Sequence, residues 1–270
     1  MRIHTEGVFD EGGSAEHEIP MGIELFGAKD RARLRAAGRA AALTLAEVGA
    51  RLRPGVTGAD IDRWVREDTA RRGGRPSQLG FEGFPATVCV SPNHVVCHGI
   101  PTAQVVLRDG DIVNLDVTTE LDGFHGDTSR TFIIGEVRPE VRRLVESTEA
   151  ALHAAIWQVH PGARLGDVGA VLEAAAAAGG YGLVREYCGH GIGRRMHTEP
   201  QVPHHGTAGR GLRLRPGMAF TIEPMFNLGR PECRVAGDGW TVHTADGLPS
   251  AQFEHTLLVT EEGHEVLTSL

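Results

Sequence analysis

The chain has 270 residues, 41% hydrophobic and 23% charged, with 36 Gly, 14 Pro and a net charge of −8. That length sustains a large buried core, and the composition is that of a globular protein. The acidic balance excludes a broad nucleic-acid surface as the main business of the molecule, and with no apolar run of membrane-span length and no secretory leader the expectation is a cytoplasmic protein.

Residues 1 to about 27 mix Gly, Glu and Ser without a sustained period and read as a flexible extension, in which Ile19 to Phe26 can dock as a strand. From Lys29 the pattern is helical to about Arg53 and breaks at Pro54-Gly55. Its basic cluster, Arg31 to Arg35, is interleaved with apolar residues and reads as a solvated helix face. A second helix is opened by Thr57-Gly-Ala-Asp60, a capping-box pattern, and closed by Gly73-Gly74. Then GDIVNLDVTTELDGFHGDTSRTF, residues 110 to 132, sets two β-branched runs around Asp122-Gly123, a hairpin signal.

Each run of that hairpin carries an aspartate, Asp116 and Asp127, where a sheet favours an apolar side chain. A turn centred on Leu121-Asp122 puts the two directly opposite, with Cβ atoms roughly 5 Å apart. Carboxylates that close repel unless a proton or a cation lies between them. His125 is expected to alternate to the other face of its strand. The cysteines Cys89, Cys97, Cys188 and Cys233 form no CxxC pair, so reduced thiols are expected, with Cys89 and Cys97 small buried side chains.

The second half repeats the first. At an offset of 107, Pro54-Gly55 falls on Pro161-Gly162, Asp60 on Asp167, Gly73 on Gly180, Gly110 on Gly217 and Asp116 on Glu223. Asp127 matches Glu254 only if about 20 extra residues are allowed around Trp240. This order of helix, Pro-Gly, helix, Gly and strand is the mark of an internal duplication. Two helix-helix-sheet halves about an approximate two-fold axis bring the four carboxylates together, and a divalent metal pair is the economical counter-charge.

The stretch EYCGHGIGRRMHTEPQV, residues 186 to 202, adds nitrogen donors. Glycines on both sides of His190 allow close backbone approach, and His197 follows seven residues later. One imidazole with four carboxylates suits manganese, iron(II), cobalt or zinc, and a pair of such ions roughly 3.5 to 4 Å apart can hold a bridging hydroxide and polarise a carbonyl. His4, His153, His160, His204, His205, His243 and His264 are read as surface or helix-end residues. HExxH, GxSxG and paired CxxC motifs are all missing, which removes zincin, serine-hydrolase and zinc-ribbon readings.

The blocks VCHGIP, GDIVNLDVT, GFHGDTSRTF, GHGIGRRMHTEPQV, AFTIEPM, DGWTVHT and AQFEHTLLVT, in this order over about residues 28 to 270, resemble bacterial type I methionine aminopeptidases. The resemblance implies an α+β pita-bread fold, creatinase/aminopeptidase-like, with pseudo-symmetric halves of about 28–137 and 138–265 around a dinuclear metal site in one catalytic domain. It implies Asp116, Asp127, His190, Glu223 and Glu254 as metal ligands, with Asp127 and Glu254 bridging, Asp116 on one ion, and His190 with Glu223 on the other. It further implies attack of a metal-bridging hydroxide on the carbonyl of an initiator methionine followed by a small residue. Glu223 would pass the proton to the amine, His197 would stabilise the tetrahedral intermediate, and His98 would contact the scissile amide or leaving group.

The same resemblance makes Phe81, Phe84, Cys89, Met196 and Trp240 walls of the methionine pocket, together with His98 and His197. Many relatives have tyrosine at one or both phenylalanine positions, cysteine at Gln78 and phenylalanine at Met196, so the pocket here stays apolar but for Gln78. The 33 positions from His190 to Glu223 leave no room for the helical insert of type II relatives. The expected partner is a peptide or nascent-chain N-terminus with transient ribosome contact, and the expected state is a monomer with no membrane or nucleic-acid site. Alternatives are a prolidase or aminopeptidase P of the same fold, which usually carries an added amino-terminal domain, and a metal-free binding protein, which has no need of four repelling carboxylates.

Overall fold

The computed structural model of the protein describes residues 22–270. Its helices are α1 (Ala28–Gly49), α2 (Gly58–Arg71), α3 (Pro139–Ile156) and α4 (Leu165–Gly179). The strands of the first half are β1 (Arg75–Pro76), β2 (Cys89–Pro92), β3 (Val95–Cys97), β4 (Ile112–Leu121) and β5 (Phe124–Ile133). Those of the second are β6 (Gly182–Leu183), β7 (Gly189–Gly191), β8 (Thr198–Val202), β9 (Ala219–Ile222), β10 (Met225–Asn227), β11 (Cys233–Val235), β12 (Val242–Thr244), β13 (Ser250–Val259) and β14 (His264–Val266).

Local signals account for several boundaries. Thr57 accepts the Asp60 N–H at 3.1 Å while Asp60 accepts the Thr57 N–H at 3.2 Å, so the capping box opens α2 as its sequence suggests. Helix α1 stops at Gly49, four residues short of Arg53. Beyond it Leu52 turns in to pack on the first-half core, and Gly55 donates its N–H to Leu107. The flexible-extension reading of residues 1–27 lies outside the described residues up to residue 21. From Gly22 to Gly27 the chain forms no strand, but Phe26 is buried and donates its N–H to Gly217 at 2.9 Å.

The main sheet runs β1-β4-β5-β13-β9-β7-β8, its neighbouring strands antiparallel, and joins the two halves where β5 meets β13. Helix α1 covers β4 and β5, α3 covers β13, and α4 packs on α3. Leu45, Val48, Ile61, Val65, Val113 and Leu115 fill the core under the first half. Leu144, Leu152, Leu172, Phe220, Phe226 and Leu257 fill the larger core under the second.

The halves match in backbone detail. Isolated bridges tie Thr57 to Val106 and Arg164 to Arg213, the same pair of positions 107 residues apart. Gly55 and Gly162 both have φ +90°, and Gly110 and Gly217 have +91° and +94°. Asp167 accepts the Arg164 N–H at 2.7 Å, as Asp60 does for Thr57. The residues between Glu223 and Glu254 form β10, β11 and β12. Strands β11 and β12 join β3 in a separate three-stranded sheet, and this places Trp240 against Phe84, with ring centroids 5.1 Å apart.

Candidate metal centre

The β4–β5 turn corrects the expected register. Asp122 and Gly123 are its two central residues, with φ +51° and +78°, and Leu121 pairs with Phe124. A two-residue turn of this kind needs left-handed backbone at both positions, which Asp-Gly supplies and Leu121 does not. Asp116 therefore opposes Ser129, and Asp127 opposes Thr118. The aspartates are diagonal neighbours and still share a face, because the side-chain period is two.

The register carries that face across the molecule. Glu254 on β13 opposes Ser129 on β5, continuing the row that holds Asp116. The β13–β9 pairing sets His255 against Ile222, so Glu223, one residue past β9, falls beside Glu254. Gly191 pairs with Phe220, and His190 donates its N–H to Thr221 Oγ1 at 3.0 Å, which puts His190 next in line. Its flanking glycines are required by space. A Cβ at Gly189 would lie 2.3 Å from the Thr221 carbonyl oxygen, and one at Gly191 would lie 2.0 Å from that of Glu199.

Asp127, His190, Glu223 and Glu254 are nearly inaccessible, with 2 to 7% exposure. Burial, followed by the charges of Asp127 and Glu223, holds the Asp116 and Glu254 carboxyls well above their ordinary range. Burial also raises Asp127 against the hydrogen bond that Thr118 Oγ1 donates to it at 2.8 Å, and it pushes Glu223 up to about 7. These are the expected responses of crowded acids without a counter-cation, and among the described residues no Lys or Arg lines the cleft around them.

The donor set fits divalent metal. Three overlapping groups, Asp127 with His190 and His197, His190 with Glu223 and Glu254, and Asp116 with Asp127 and Glu254, each place their ligand atoms within 4.8 Å of one another. His190 Nε2 lies 3.7 Å from Asp127 Oδ2 and 3.6 Å from Glu223 Oε1, spacing suited to donors about 2.0 to 2.2 Å from a shared cation. His190 Nδ1 is 3.1 Å from the Gly191 carbonyl oxygen. A carbonyl only accepts, so Nδ1 carries the proton and Nε2 presents its lone pair to the carboxylates.

The twelve candidate site residues named from the resemblance all line one cleft of about 710 Å³. The acids and His190 form its floor. Phe81, Phe84, Cys89, Met196 and Trp240 supply apolar wall, with Gln78 between that wall and Asp116. His197 stands edge-on to His190, centroids 4.2 Å apart, and also meets Phe81 at 4.9 Å. His98 adopts left-handed backbone, φ +55°, and abuts Tyr187 and Trp240. Burial drops both imidazoles to about 3, so they are neutral at physiological pH.

Two histidine readings need correction. His204 is fully buried rather than at the surface, and its Nε2 accepts the Glu223 backbone N–H at 3.3 Å, while burial drops its pKa to about 3 and keeps it neutral. His125 lies two residues from Asp127 and so on the same side of the pleat. It opposes Glu120 near the turn, is held at 2.8 Å by Ser77 Oγ, and does not line the cleft.

Several supporting residues escaped the sequence reading. Thr221 Oγ1 donates to Glu223 Oε1 at 2.9 Å, and Gln252 Nε2 to Glu223 Oε2 at 3.4 Å. Thr256 Oγ1 accepts the Asp127 N–H and donates to the Asp127 carbonyl. Thr118, Thr221, Gln252 and Thr256 each sit two positions from an acid of the site. The two-residue period of a strand was the signal that could have found them.

Residues 32–261 match metallopeptidase family M24. "Methionine aminopeptidase B" of Synechocystis sp. is 48% identical over 257 residues, 93% of each chain. The crystal structure of methionine aminopeptidase from Rickettsia prowazekii superposes with a TM-score of 0.90 at 44% identity, covering 92% of this chain and all of that one. Prolidase from Pyrococcus furiosus, at 19% identity and a TM-score of 0.73 over 91% of this chain and 65% of its own, shares the fold alone. A family match across most of the chain, joined to a relative nearly half identical along almost its whole length, makes this pita-bread protein a member of metallopeptidase family M24.

Proposed function

We propose that the protein is a methionine aminopeptidase that removes the initiator methionine from proteins whose second residue is small. The observation that carries this reading is a face of five donors, Asp116, Asp127, His190, Glu223 and Glu254, all but the half-buried Asp116 nearly inaccessible, opening into a cleft with apolar ring walls and, among the described residues, no Lys or Arg. The family implies divalent metal, and we assign two ions, cobalt, manganese, iron(II) or zinc. Asp127 and Glu254 would hold both, Asp116 would hold one, and His190 with Glu223 would hold the other. When bound, the ions polarise the scissile carbonyl and lower the pKa of water in the site.

The chain's own groups do the rest. Phe81, Phe84, Cys89, Met196 and Trp240 enclose an unbranched thioether side chain and exclude water from it. His197 donates a hydrogen bond to the oxygen of the attacked carbonyl, and as a neutral imidazole it does so without adding cationic charge beside His190. His98 contacts the scissile amide or leaving amine from the opposite wall. Glu223, on the cleft floor, would carry the proton to the departing amine.

We assign residues 28–270 to one catalytic domain acting as a monomer in the cytoplasm, on free or ribosome-borne N-termini. No described helix is long and apolar enough to cross a membrane. The test is turnover of a Met-Ala-Ser peptide by metal-stripped protein, with cobalt, manganese, iron(II) or zinc returned singly, beside an Ala-Pro-Ala peptide. Metal-dependent release of methionine with the second peptide intact is the expected result. Cleavage of Ala-Pro-Ala instead would replace it with a proline-directed reading, and silence on both would sink the catalytic one.

A further inference from the structure

The edge of β4 that faces β1 and β2 is covered at two places by backbone. Thr119 and Glu120 pair with β1, and Val113 to Asp116 pair with β2. Between them Ser77 donates its N–H to the Thr118 carbonyl at 2.9 Å. The remaining link is made by a side chain. Gln78 Nε2 donates to the Asp116 carbonyl at 2.8 Å, and Gln78 Oε1 accepts the Thr118 N–H at 3.3 Å. A primary amide carries a donor and an acceptor much as a peptide group does, so it substitutes for a neighbouring strand at this point.

A primary amide has a second N–H, and a peptide group does not. Gln78 Nε2 lies 3.2 Å from Asp116 Oδ1, so the same group that patches the strand edge also grips the carboxylate. Gln78 is itself 93% buried, which removes water as a competitor for these bonds.

We infer that Gln78 is a positioning residue that fixes the Asp116 carboxylate and thereby sets the affinity of the ion held on Asp116, while the ion held by His190 and Glu223 depends on it little. The inference rests on the two-ion reading above. Its physical basis is that hydrogen bonds to a metal ligand orient the lone pairs that bind the metal.

The experiment is calorimetric titration of manganese(II) into the metal-stripped protein and two variants, with thermal unfolding and the KM for Met-Ala-Ser measured beside it. Wild type should bind in two steps. Gln78→Met keeps length and bulk without either hydrogen bond, and one step should weaken about 10- to 100-fold while the other moves less than about threefold. Gln78→Glu keeps the acceptor toward Thr118 but replaces the donor beside Asp116 with oxygen, so the same step should weaken again. At saturating manganese, turnover by Gln78→Met should largely return.

Two steps left unchanged in both variants while KM rises would make Gln78 a pocket wall and overturn the inference. Equal loss of both steps with a lower unfolding midpoint would make it a support of the fold and overturn it as well, as would tighter binding in Gln78→Glu. A single step in wild type would remove the two-ion reading, and this inference with it.

Discussion

The two halves of the molecule share a backbone and differ in chemistry. Gly55 and Gly162 have the same φ, the bridges at Thr57 and Arg164 recur, and each half lays two acid-bearing strands into one sheet. The first half brings its acids on consecutive strands of a tight hairpin, as aspartates. The second brings glutamates from β13 and the end of β9, adds His190 from β7, and spends the residues between its acids on the small sheet that carries Trp240. The shared scaffold sets where the carboxylates point, whereas His190 comes from the second half alone and the pocket wall from both, Phe81, Phe84 and Cys89 from the first and Met196 and Trp240 from the second. Turns held by glycine φ and helix caps persist through such divergence because backbone geometry leaves few alternatives.

Removing one acid from each half tests that asymmetry most severely. Glu223→Ala, which on the proposed reading removes a ligand and a proton carrier together, should lower kcat/KM by on the order of 10³-fold or more. Asp116→Ala should lose one ion and keep the other, measured by metal content after gel filtration, with a smaller loss of turnover. Equal losses and equal metal contents would make the halves chemically equivalent. Trp240→Ala, which removes a wall residue of the second half that packs on Phe84 and His98 of the first, should lower kcat/KM for methionyl peptides about 10- to 100-fold through KM and leave the metal isotherm unchanged. A changed isotherm would place Trp240 in the metal scaffold.

The pH dependence of stability should separate the acids from the imidazoles. Without metal, the folded Glu223 carboxyl titrates near about 7 against an ordinary 4.5, and the stability it contributes at low pH is lost as pH rises through about 7. Asp116 and Glu254 act in the same direction. His98, His197 and His204 have the opposite sign, since they are depressed to about 3 from 6.5 and contribute fully only above 6.5. Between pH 6.5 and about 8 the unfolding midpoint of the metal-stripped protein should therefore fall, and saturating manganese should abolish the fall. A flat profile without metal would show the acids to be already paired.

The gentlest comparison is Gly55→Ala against Gly162→Ala. Both glycines have φ +90° and open space where a Cβ would stand. Each substitution should cost about 1 to 2 kcal/mol from backbone strain alone, measured by urea unfolding. Costs that differ by more than about 1 kcal/mol would show that one turn relaxes in a way the other does not.

Much of the site was legible because its donors are acids in places where β-strands favour valine, and because the repeat set Asp116 against Glu223. The hairpin register was misread by centring the turn one residue early. The error left the shared face intact, since both residues kept their parity. His204 was misplaced because nothing local distinguishes a buried imidazole from a surface one. Its partner is the N–H of Glu223, 19 positions away, a contact no local pattern announces.

The sequence by itself singled out the four acids and the histidine that the structure gathers on one face, the duplicated order of helices and strands, the capping box at Thr57 and the Asp-Gly turn. Those depend on residue type and on contacts within a few positions, where the chain's own stereochemistry decides. Only the tertiary structure decided that Glu254 stands in the row of Asp116, that Trp240 closes over Phe84, and that Gln78 completes the edge of β4. Each joins segments from different elements, and a cross-strand register or a buried amide takes its partners from how the sheets and helices pack.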